Sequence, residues 1–298
     1  GNGQSSSNWT DDTVPSSGDI LVFDEGSGDC DLTGFGAGFT AQGLITEEGY
    51  EGTVYLPESF SIGSSGLEMN GGALEVDGNM NLFGDSTWSD GWLNSAAATP
   101  AVLNLYANFL VPSPIKETPI GKHCESTVVV RNGWTTTMAD TTVTFKKGAG
   151  VLVDAGGEFK ITGNDRSDFV VSGTTVGSFE VRGKLTMEVN AGPGVYMELH
   201  FTQSGTAPET MIKKGKLVFK GQNTAGYTAE IRSGSFTVHG GAEIDVNSPT
   251  SSGMILDAGT WLKTRDSSNT AARVWGNVTL YGNLEIDGTD SCGRLTIS

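Results

Sequence analysis

The chain has 298 residues, of which 43 are glycine and 37% are hydrophobic, and its formal charge is −17. With no basic patch to release counterions from phosphate, nucleic acid is excluded as a partner. Glycine at this level would mark disorder in a low-complexity chain, but short apolar alternations run throughout, the pattern of an all-β protein with many turns.

Charge is uneven along the chain. Residues 1–100 hold sixteen Asp and Glu and no Lys or Arg, the first base being Lys116, whereas the remainder carries nineteen acids and eighteen bases. An acidic third of this kind either solubilises the chain or forms a calcium-dependent or electrostatically mating end. No apolar run reaches the ~18 residues of a membrane helix, so no membrane insertion is expected.

Residues 1–18 are rich in Gly, Ser and Asn and read as a flexible N-terminal arm. They begin without Met, which leads us to expect a processed chain that has lost a signal peptide, although a trimmed chain would look the same. The β-solenoid domain is expected over 19–298. Near its start, Asp24, Glu25, Asp29 and Asp31 surround two glycines, and these four carboxylates would suit a calcium ion, the one cofactor expected. The segment departs from the EF-hand loop and from the GGxGxD repeat.

The phrase G-x-φ-x-φ-x-G (φ apolar) then recurs: Gly72 to Gly78, Gly78 to Gly84, Gly157 to Gly163, Gly177 to Gly183, Gly215 to Gly221, Gly234 to Gly240 and Gly276 to Gly282. Period-two alternation makes each a short strand with one face inward, and glycine marks a tight bend. Between 85 and 124 the phrase is absent and four of the nine prolines gather, so an irregular insertion is expected there. Trp88, Trp92 and Tyr106 within it, with Trp134 just beyond, would form a carbohydrate-binding platform, since flat aromatic faces pack on pyranose rings. The same aromatics would equally serve as a small core or a subunit contact.

From Gly157 onward the phrase starts at 157, 177, 215, 234 and 276, and weaker strands fill the double steps. One rung every 19 to 21 residues lies within the range of solenoid periods. We therefore expect a single-stranded parallel β-helix with coils of about 20 residues, strands stacked ~4.8 Å apart, and an inward ladder through Leu74/Val76, Phe159/Ile161, Phe179/Val181, Leu217/Phe219, Phe236/Val238 and Val278/Leu280.

The opening NWTDDTVPSSGDILVFD resembles the first coil of many secreted bacterial β-helix proteins: a Trp, a VP-x-x-GD turn, then alternating Ile20 and Val22. The later rungs look like those of adhesin passengers and extracellular filament or matrix proteins of the pectin-lyase-like superfold. The resemblance implies an extracellular or cell-surface location. It is architectural, and proteins with such openings differ in function.

Enzymes on that fold are polysaccharide lyases and glycosidases, which need two facing carboxylates or a calcium cluster beside a base. Glu75 with Asp77, Glu243 with Asp245 and Glu285 with Asp287 are adjacent on outer faces, as an ordinary solvated strand face would also be. His123, His200 and His239 have no ligand spacing. No catalytic residues are assigned. Cys30 and Cys124 could pair as a disulfide, leaving Cys292 for an intermolecular bond, and every other pairing is equally permitted.

Open solenoid ends expose unpaired rungs, which head-to-tail docking of copies would satisfy. The leading expectation is a non-catalytic, self-assembling extracellular subunit of a filament or surface layer, with Asn8, Trp9, Leu295 and Ile297 at the junction. An adhesin or carbohydrate-binding module that contacts surface glycans is the alternative, and a polysaccharide lyase or hydrolase the third.

Overall fold

The computed structural model describes residues 1–298 except 115–120, 166, 191–193, 220–226, 240–241, 246–250, 267–271, 276–277, 289–295 and 298. Its described strands are all paired in parallel within one continuous system, the arrangement of a single-stranded parallel β-solenoid. The chain winds through three faces per coil, so from Ala101–Leu105 onward each strand pairs with the strand three places further on. Earlier strands, some of them as long as Ser59–Val76 and crossing more than one face, also pair with nearer ones. Face A begins with Ile20–Phe23, face B with Cys30–Asp31, and face C is carried by strands such as Asn79–Leu82 and Ala101–Leu105.

The coil is longer than the spacing of the phrase suggests. On face A the register aligns Leu21 with Leu44 and Leu67, and later Phe109, Thr136, Phe159 and Leu185, a return of about 24 residues. The expected period of about 20 came from treating all phrases as one rung. Gly157 opens face A, Gly177 face C and Gly215 face B, because an inward-alternating strand looks the same on any face.

The glycines also have a second cause. A side chain at Gly177 would place Cβ 1.7 Å from the carbonyl oxygen of Ala149, and one at Gly183 would fall 2.3 Å from those of Asp154 and Gly157. Neither has a positive φ. At these corners glycine is demanded by the backbone of the preceding coil rather than by the bend.

Inside, like residues stack. Phe179 lies 5.3 Å from Phe159, 5.2 Å from Phe169 and 6.1 Å from Phe201, all buried. Five of the six inward pairs expected from sequence are buried, each side chain worth ~1.5–3 kcal/mol. The sixth is not: Val278 is half-buried and Leu280 is 38% exposed. Leu280 continues the ladder of Leu256, and Leu284 that of Leu262, whose own side chains are buried under them.

Two expected irregularities prove to be regular. The described residues of 85–124 are not an insertion, because Ser86–Ser95, Ala101–Leu105, Phe109–Val111 and Lys122–Cys124 continue the three faces in parallel register. Their prolines punctuate turns, Pro100 directly before one strand and Pro112 directly after another. Nor are residues 1–18 a free arm. Asn2 bridges to Asp31, a 3₁₀ turn spans Ser6–Asn8, and Trp9 packs 6.1 Å from Phe23 while its Nε1 donates to the Gly3 carbonyl at 2.8 Å. The segment closes the first coil, where Leu21 and Phe23 are buried.

Candidate functional site

Three of the four carboxylates expected to hold calcium accept hydrogen bonds from the chain itself. Asp24 accepts from the Gly26 amide and the Ser27 hydroxyl, Asp29 from the Thr53 amide, and Asp31 from the Thr33 amide and hydroxyl. Those Thr33 bonds hold the Asp31 carboxyl below its ordinary range. Among the described residues no group of three or more His, Cys, Asp or Glu is arranged to hold a metal. Asp and Ser placed two or three residues before a free amide satisfy it as a turn, and the sequence signal for calcium is this turn chemistry.

The tryptophan platform does not form. Trp88 is buried in the core, its Nε1 donating to the Gly91 carbonyl at 3.1 Å. Trp92 stands on face B, its ring 5.1 Å from His123 and 5.5 Å from the Lys146 ammonium, while Trp134 precedes the face A strand Thr135–Ala139. Period two alone would put Trp88 and Trp92, four positions apart, on the same side; the two register shifts between them break the alternation, so that Trp88 is inward and Trp92 outward. Burial, and then Lys146, hold the His123 pKa below its usual value, with Glu125 opposing.

Cys30 and Cys124 are free and buried, so the disulfide is not made. They lie on one ladder, Cys30–Val54–Leu74–Leu93–Cys124, which separates them by four coil steps, about 19 Å, far beyond the reach of an S–S bond. Cys292 is outside the described residues. Of the expected junction residues, Asn8 donates to the Asn2 carbonyl and Trp9 belongs to the cap of the first coil. Leu295 and the Ile297 side chain lie outside the described residues, and the Ile297 backbone pairs with Val274.

Three of the six paired carboxylates are tied to bases of neighbouring coils: Glu243 to Arg273 at 2.8 Å, Asp245 to Lys216 at 2.7 Å and Glu285 to Lys263 at 3.0 Å. On face A, burial alone would raise Glu158, but the Thr186 hydroxyl, Lys160 and Lys184 hold it below its ordinary value. These are ion-pair ladders of a solvated face.

A feature the sequence reading missed runs along the edge between faces C and A. The residue after each face C strand stands over its counterpart one coil earlier: Phe83, Tyr106, Arg131, Asp154, Arg182, and on to Arg232 and Tyr281. Phe83 and Tyr106 stack at 5.1 Å with planes 13° apart. The Arg131 guanidinium lies 5.9 Å from the Tyr106 centroid, pairs with Asp154 at 2.7 Å and donates to Asn104 at 2.6 Å. Further up, Arg182 binds Glu180 through two nitrogens, at 2.8 and 3.1 Å, and lowers its pKa against burial. Beside the rings Asn104 donates to Asn81 at 2.9 Å, and Asn81 to Ser61 at 3.5 Å. Phe83 itself is 51% exposed. The signal was present: Phe83, Arg182 and Tyr281 all occupy the sixth place of the glycine phrase. Only the 24-residue register aligns them.

No family model, no curated protein and no solved structure matches the chain.

Proposed function

We propose that this chain is a non-catalytic structural solenoid of an extracellular or cell surface, a secreted subunit that docks head to tail into a filament or surface layer. The observation that carries the reading is the parallel pairing of the described strands in one continuous system, a stack that a second copy could extend in the same register. Trp9 and the 3₁₀ turn lie over the first coil, and among the described residues the inward rungs Leu280 and Leu284 are 38% and 41% exposed. Covering each would contribute roughly 1 kcal/mol, and a repeating contact between unlike surfaces propagates as a fibre when it does not close. The outward carboxylates engaged by Lys and Arg supply the argument for a non-catalytic role. Membership of the pectin-lyase-like β-helices is part of the same proposal and rests on the opening NWTDDTVPSSGDILVFD.

Negative-stain electron microscopy of the purified protein, with and without calcium and at low and high salt, tests it. Rods longer than a single solenoid are expected; monodisperse single solenoids under every condition would overturn the reading. Turnover of acidic or neutral polysaccharides would overturn its non-catalytic part.

A further inference from the structure

The ring pile on the C/A edge has an open end. Tyr106 lies between Phe83 on one side and the Arg131 guanidinium on the other, so neither of its faces is free. Among the described residues Phe83 is stacked on Tyr106 only. One coil earlier the equivalent position is Gly63, placed by the bond from the Phe83 amide to the Ile62 carbonyl, and glycine has no side chain to cover the ring. Just over half of the phenylalanine is therefore exposed on the C/A edge, with further coils stacked on both sides of it.

The groups around it are neutral and rich in hydrogen-bonding capacity. Ser61 and Asn81 occupy outward positions on neighbouring face C strands, and Gln42 donates to the Ser64 hydroxyl at 2.5 Å beside Gly63. Each side-chain amide has two N–H donors and a carbonyl with two lone pairs, more than these bonds use. No Lys or Arg occurs among residues 1–115, and Arg131, the base of the same pile, lies on the far side of Tyr106 and is paired with Asp154, so its charge is already engaged. Asp85, the nearest acid in sequence, accepts from the Asn108 amide at 3.0 Å. The strands here are paired on both sides, so an extended peptide finds no edge to join.

We propose that Phe83, with Ser61, Asn81 and Gln42, is a binding site for an uncharged sugar ring. The apolar C–H face of a pyranose would lie on the open face of Phe83, and its hydroxyls would exchange hydrogen bonds with the amides and the serine. A single exposed ring among neutral donors and acceptors matches the mixed polarity of such a ligand. The site is lateral and independent of end-to-end docking, so the two proposals fail separately.

Saturation-transfer NMR on the full chain tests it, with D-glucose, D-galactose, D-mannose and their short oligosaccharides as probes and D-glucuronate as the charged comparison. Saturation of ring C–H protons of at least one neutral sugar is expected. Affinity should fall at least tenfold in Phe83→Ala and several-fold in Asn81→Ala, survive in Phe83→Trp, and be unchanged in Trp261→Ala, an exposed aromatic on face A. Because Phe83 is half exposed and its ring contact is the stack on Tyr106, Phe83→Ala should lower the melting temperature only slightly, which a thermal scan of the same sample checks. No saturation of any neutral sugar at millimolar concentration, saturation undiminished in Phe83→Ala, or stronger binding of glucuronate than of glucose would each overturn the proposal.

Discussion

The first coil and the last described coil are built from similar alternating strands, yet they end differently. At the first, Leu21 and Phe23 are 2% and 3% exposed because the chain before them folds back, with Trp9 as the lid and Asn2 as the bridge to Asp31. At the last, Leu280 and Leu284 occupy the same kinds of inward position and remain open. Inward alternation makes a rung, but only a neighbouring layer buries it. Burial of a rung therefore depends on the layer above it and not on its alternation alone.

The sharpest contrast comes from polar substitution of equivalent rungs. Phe179→Asp, in the middle of the phenylalanine stack, is expected to cost ~4 kcal/mol or more and to abolish cooperative melting, while Leu284→Asp should cost below ~1 kcal/mol. Urea titrations of the two variants check this, and equal losses would erase the distinction between middle and end.

Next in size is the response to alkali, which reports on two polar residues inside the stack. Lys122 is buried, its ammonium donating to the Pro112 carbonyl at 2.9 Å and the Thr141 hydroxyl at 3.0 Å, and burial pushes its pKa down to about 8 although Asp90 opposes this. Between pH 8 and the ordinary lysine value of 10.5 the unfolded chain holds more protons at this site, so stability rises with pH, by up to roughly 3 kcal/mol. Cys124 acts in the opposite sense. Burial pushes its thiol up to about 12, the unfolded thiol ionises first, and stability is lost as pH climbs above 9. Stability curves from pH 7 to 11 should therefore fall earlier in Lys122→Met and keep rising further in Cys124→Val. Parallel curves for both variants and the parent would show that neither group titrates as its burial requires.

Removing the lid is a smaller perturbation. Trp9→Ala should cost ~2 kcal/mol, and the loss should be local. Hydrogen exchange is expected to accelerate in Ile20–Phe23 and leave Ser178–Val181 unchanged. Uniform acceleration would mean that the coils unfold as one unit.

Much of the fold was legible because burial of a flat strand needs only period-two alternation. Phe159, Ile161, Phe179 and Val181 are inward as their spacing demanded. The coil length was not, since Gly157 and Gly177 carry the same phrase on different faces and nothing local identifies the face. The strands within 85–124 were hidden by their prolines, although Leu103, Leu105, Phe109 and Val111 alternate there as elsewhere. Polar residues in the interior were equally unreadable. Lys122 is accepted because Pro112 and Thr141 come round to meet it, and Gln203, on the inward ladder between Val181 and Ile231, because its amide reaches the carbonyls of Ser233 and Ser235. The same holds for Phe83 and Tyr106, 23 positions apart in sequence and one coil apart in space.

Sedimentation velocity as a function of concentration, on the parent chain and on Leu280→Asp/Leu284→Asp, tests end-to-end docking most directly. The parent should shift towards elongated species as concentration rises, and the double variant should remain a single solenoid with its melting temperature nearly unchanged. A concentration-independent parent, or a variant that associates as the parent does, would contradict the docking of copies through the open coil.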